Sequence, residues 1–87
     1  MDKYDETHRI IANMGGVKMR LNAHKGNIED MDPFVLLKAL KSEVQELEEA
    51  MESGNIMHIM EEAGDVFNFL VGITHQQITL YRIRKDD

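Results

Sequence analysis

The chain contains no cysteine and no tryptophan, a single proline, and only three phenylalanines and two tyrosines among its 87 residues. Without cysteine, disulfides and thiolate zinc sites are excluded. Scarce proline and aromatics, beside abundant alanine, leucine, methionine and glutamate, favour helix over strand. No segment sustains the period-two alternation that a half-buried strand requires, so the chain reads as all-α. No apolar run approaches the roughly 20 residues needed to span a bilayer, which argues against a membrane protein. The opening Met1-Asp2-Lys3-Tyr4-Asp5-Glu6 is too charged for a signal peptide, so a cytoplasmic location is expected. Basic charge is short as well: ten lysines and arginines face sixteen acidic residues, for a net charge of −6. Such a surface repels phosphate backbones, and no nucleic-acid polymer is expected as a partner. A small anionic substrate stays compatible with it only if a cation neutralises the encounter.

What is present fits one domain over residues 1–87. A domain of this size buries only about 60% of its unfolded surface, and with disulfides excluded oligomerisation is the expected remedy. A first helix is expected from about Glu6 to Ala23, where Ile10, Ile11, Met14, Val17 and Leu21 form one apolar stripe. Gly15-Gly16 interrupts it, marking a kink or a close helix crossing. His24 to Asp32 reads as a loop. Asp32-Pro33 then supplies a capping side chain and a favoured first helical residue, and Gly54 a stop. Asn55 starts a third helix running to about Arg82. The architecture expected is an antiparallel helical hairpin plus an N-terminal helix, completed to a four-helix-type bundle by oligomerisation.

Two carboxylate pairs stand at i, i+3: Glu43/Glu46 on the second helix and Glu62/Asp65 on the third. Glutamate-rich helices produce such pairs by chance, and Glu46/Glu49 and Glu49/Glu52 have the same spacing. Direction separates them. At about 100° per residue, Leu36, Leu37, Leu40, Val44, Leu47 and Met51 fill an arc roughly 100° wide, and Glu43 falls about 20° outside its Leu36 edge. Glu46 lies a further 60° or so around, whereas Glu49 and Glu52 point away. On the third helix an apolar arc of about 160° runs through Val66, Leu70 and Ile73, and Phe69 widens it. Glu62 sits between Phe69 and Ile73, with Asp65 at the rim near Gly72. A carboxylate inside an apolar arc is costly unless paired or bound to a cation. No basic residue is evident one turn from Glu43 or Glu62 on the apolar side. Converging carboxylates would repel unless a divalent cation joined them, and an all-oxygen set favours Mg²⁺ or Mn²⁺ over zinc. His58 reads as a surface or capping residue. Arg82, Arg84 and Lys85 complement the dipole at a helix C-terminus.

Glu43-Val-Gln-Glu46, fifteen residues, then Glu62-Ala-Gly-Asp65 resembles the signature of the MazG-like all-α nucleoside triphosphate pyrophosphohydrolases. The flanks "LLKALKSEVQELEEAM" and "IMEEAGDVFNFLVGI" extend the likeness over His24 to Thr74. The resemblance implies a dimer or dimer of dimers that hydrolyses (deoxy)nucleoside triphosphates to the monophosphate and pyrophosphate with Mg²⁺. It implies that Glu43, Glu46, Glu62 and Asp65 hold the metal, with Glu46, the outer one, taking the proton of the attacking water. His24 and Lys25 resemble a basic loop of relatives that meets phosphate. Asn68 is a candidate for sugar or phosphate, and Phe69 for stacking on a base, with core packing the competing role for Phe69. Relatives that hold the base with a loop tryptophan differ here, where the loop reads Lys25-Gly26-Asn27, so part of the pocket is expected from a partner subunit. Two other functions fit the same helices. Phosphoribosyl-ATP pyrophosphatases are similar in size, but their basic, glycine-containing run is not evident in "KALKSEVQE". A helical interaction module with a solvated acidic face would gain no stability from Mg²⁺.

Overall fold

Local hydrogen bonds that the sequence supplies set both ends of the second helix and the start of the third. In the computed structural model, which describes residues 2–21 and 30–86 (side chains of 17–21 and 86 excepted), three helices follow one another: α1, Asp5–Leu21; α2, Pro33–Ser53; and α3, Ile56–Asp86. Asp32 Oδ1 accepts from the Phe34 and Val35 amides at 2.8 and 3.4 Å, and Pro33 opens the first turn of α2. These bonds occupy amide donors that the helix itself leaves unpaired. Gly54 ends α2 at φ 74°, a left-handed conformation that glycine adopts without Cβ strain. Its amide donates to the carbonyls of Ala50 and Met51, both at 3.2 Å. Asn55 then caps α3, its Oδ1 accepting from the His58 amide at 3.1 Å. The tight Gly54-Asn55 turn folds α3 back antiparallel on α2.

α3 is the central element: α1 and α2 each pack along it and touch one another little. Gly15 and Gly64 let α1 approach, as the sequence interruption in the first helix allowed. A Cβ at Gly64 would lie 2.9 Å from Met14 Cβ and 3.1 Å from the Gly15 nitrogen. Gln76, buried on α3, donates from Nε2 to the Met31 carbonyl at 2.5 Å and ties the start of α2 to the far half of the hairpin. α3 runs one turn further than the expected Arg82, with Arg82, Arg84 and Lys85 exposed and Lys85 Nζ 5.9 Å from the centre of the Tyr81 ring.

The packing is thin. Among the described residues, Leu36 and Ala50 are the fully buried hydrophobic side chains, at 0% and 1% exposure. The helices span 49 × 33 × 22 Å with a radius of gyration of 14.6 Å, against about 12 Å for a compact chain of this length. Seven-residue spacing explains what is covered. Leu36, Glu43 and Ala50 share the edge of α2 that faces α3, whereas Leu37, Val44 and Met51, on the opposite edge of the same apolar arc, are exposed. Phe34 is 78% exposed, and Leu70, Val71, Ile78 and Tyr81 leave a further apolar strip open on α3. No helix among the described residues is long and apolar enough to cross a membrane.

Candidate metal centre

The antiparallel pairing of α2 and α3 brings Glu43 across from Glu62 and Asp65. One carboxylate oxygen from each lies within 4.8 Å of the others. Glu62 is 9% exposed, while Glu43 and Asp65 are half-buried. Glu43 occupies the covered edge of α2 because it stands seven residues from both Leu36 and Ala50, so burying them carries its carboxylate inward. Its Oε2 is buried with no hydrogen-bond partner among the described residues. An ionised oxygen so placed is costly unless a cation or proton meets it.

Electrostatics register that cost. The Glu43 carboxyl is pushed from the ordinary 4.5 up to about 7. Burial is the largest cause, followed by the neighbouring Glu46, which a protonated Glu43 reaches with a hydrogen bond, and by the charges of Glu46, Asp65 and Glu62. The residues therefore fit a hard divalent cation: three oxygen donors converge, Glu43 carries a buried oxygen without a partner among the described residues, and burial with the neighbouring carboxylates raises a proton affinity that a cation would oppose.

Linkage gives this arrangement a testable sign. A carboxyl whose native pKa exceeds its unfolded value stabilises the fold below the unfolded value, and that contribution is lost as pH rises through the native one. Glu43 should thus make the metal-free protein less stable as pH climbs from about 4.5 to about 7. Thermal melts in EDTA should show that decline, and Glu43→Gln should flatten it. Added Mg²⁺ should raise the melting temperature above pH 7 and have little effect near pH 4.5. A metal effect equal at both pH values would contradict the site.

Glu46 has an exposed side chain outside the group of three, beside Glu43. It lines a cleft of about 290 Å³ together with Glu49, Ser53, His58 and Glu62. Asn68 and Phe69 are half-buried one turn beyond Asp65. The Asn68 Oδ1 is buried at the α1–α3 crossing, 2.9 Å from where a Gly15 Cβ would stand. His24 and Lys25 lie outside the described residues.

On its exposed side Glu62 has a basic neighbour one turn away: His58 Nε2, on a half-exposed side chain, stands 3.4 Å from Glu62 Oε1. The expectation that no basic residue flanks Glu62 concerned the apolar side alone. The i, i+4 spacing was the available signal.

Compared with known proteins, residues 32–83 match the family model of the MazG nucleotide pyrophosphohydrolase domain, which takes in α2, the turn and nearly all of α3. No curated protein and no solved structure gives a significant match.

Proposed function

We propose, from the premise that the chain belongs to the MazG nucleotide pyrophosphohydrolase family, that it hydrolyses (deoxy)nucleoside triphosphates between the α and β phosphorus atoms with the help of Mg²⁺. The observation that carries this reading is the convergence of Glu43, Glu62 and Asp65 across the hairpin, with Glu62 almost fully buried. Those three, joined by Glu46, would hold a cation of the Mg²⁺ or Mn²⁺ type. Such a cation supplies neutralisation of the triphosphate and a more acidic water. Glu46, exposed beside Glu43, is placed in our reading to accept the proton of the attacking water, because its carboxylate remains accessible from the cleft. Asn68 and Phe69, one turn beyond Asp65, are the proposed contacts to sugar and base, and His24 and Lys25 the proposed contacts to phosphate. Incubation of the protein with a panel of nucleoside triphosphates and Mg²⁺ should yield monophosphate and pyrophosphate. Diphosphate and inorganic phosphate as products would refute the cleavage position.

Assembly belongs to the same reading. A core of this size leaves Leu37, Val44 and Met51 on α2, and Val71, Ile78 and Tyr81 on α3, without cover. A second copy packing these strips together would build a four-helix core and give a homodimer or a dimer of dimers. Analytical ultracentrifugation should find at least a dimer at micromolar concentration. A folded, active monomer would remove the proposal.

A further inference from the structure

We infer that His58 is a positioning residue, which fixes the Glu62 carboxylate from outside so that its other oxygen faces Glu43 and Asp65. The inference rests on the proposed metal centre and deepens it. His58 is itself held: the Gly54 turn and the Asn55 cap fix the first turn of α3, and the His58 amide donates to Asn55 Oδ1 at 3.1 Å. One turn later its Nε2 meets Glu62 Oε1 at 3.4 Å. The two side chains differ sharply in exposure, 53% for His58 and 11% for Glu62. The half-exposed imidazole lines the same cleft as Glu46, Glu49 and Ser53 and approaches the inner carboxylate there.

Direct ligation fits less well. The converging oxygens belong to Glu43, Glu62 and Asp65, and no His58 nitrogen joins that 4.8 Å group. Outer contacts of this kind orient a ligating carboxylate. The side-chain type suits the task. An imidazole has two side-chain torsions, so little freedom is lost in holding it. The contact is a 3.4 Å approach of Nε2 to Oε1, and an N–H at Nε2 is present in one neutral tautomer as well as in the imidazolium. A lysine or arginine here would instead carry a permanent charge that competes with the cation for Glu62.

The test reads metal binding in the full chain, apart from turnover. Titration with Mn²⁺ followed by electron paramagnetic resonance gives the affinity. His58→Phe keeps a ring and removes the donor. It should weaken Mn²⁺ binding roughly three- to tenfold, the low end for an outer contact because this one is half exposed. His58→Gln, whose amide can reach the Nε2 position, should restore binding to near the wild-type value. Electron spin-echo spectra of the wild type should show no nitrogen directly bound to Mn²⁺. If His58→Phe fails to fold, His58→Asn, with an amide too short to reach Glu62, replaces it in the comparison. Equal affinity in wild type and the donorless variant, no rescue by glutamine, or a bound nitrogen signal would each overturn the role of His58 alone. Absence of Mn²⁺ binding in the wild type would overturn the metal centre and this inference with it.

Discussion

Replacing Glu62 by glutamine is expected to cut turnover by at least about a thousandfold while leaving the helical circular dichroism spectrum unchanged. Glutamine matches glutamate in shape, so the packing around this buried residue is kept. What disappears is one full negative charge from a group whose oxygens lie within 4.8 Å of one another. In the metal-free state that loss is a relief, because Glu62 is one of the charges that raise Glu43. The same change also removes the Glu62 contact with His58, so the metal-free variant should melt close to the wild type. With Mg²⁺ the wild type should gain more, since stabilisation by a bound cation scales with its affinity. Glu52→Gln, an exposed change on the same hairpin, controls for general loss of acidic charge. Turnover in Glu62→Gln above about a tenth of wild type would show that the hairpin carboxylates are not the centre of the chemistry.

Why Glu62 and Glu43 stood out in the sequence, and Glu46 and His58 did not, is a matter of what helical periodicity encodes. The direction of a side chain around its own helix follows from about 100° per residue, so a carboxylate on an apolar edge is visible before any fold is known. The caps were equally legible, because Asp32, Gly54 and Asn55 act on amides and carbonyls within four residues. Periodicity does not say which edge of a wide arc meets the partner helix. On α2 it left Leu36–Glu43–Ala50 and Leu37–Val44–Met51 as equivalent edges, and only the hairpin packing distinguishes them. Nor does it disclose pairs across helices. Gly15 was suspect as a crossing point, but its counterpart Gly64 lies inside the Glu62–Asp65 motif, where the carboxylates gave sufficient reason for the spacing.

That crossing carries the second large effect. Gly64→Ala should lower the melting temperature by roughly 10 °C, corresponding to about 2 kcal/mol in a domain of this size. Helix propensity alone argues the other way, since alanine is about 1 kcal/mol better than glycine in a helix interior. The added methyl, however, would stand 2.9 Å from Met14 Cβ, 3.1 Å from the Gly15 nitrogen and 3.2 Å from the Met14 carbonyl carbon. None of these is the tip of a flexible side chain, so α1 must move as a body. Gly15→Ala meets the crossing from the other side, at 2.9 Å from both Asn68 Oδ1 and Phe67 Cδ1 and 3.1 Å from the Gly64 carbonyl oxygen. It should cost less than Gly64→Ala, because its two nearest neighbours are side-chain atoms that can turn aside. Because one separation of the helices admits both methyls, the double variant should lose clearly less than the sum of the singles. Strict additivity would mean that the two glycines do not share one contact. A rise in melting temperature for either single change would mean that helix propensity outweighs the clash, and that α1 packs more loosely on α3 than these distances require.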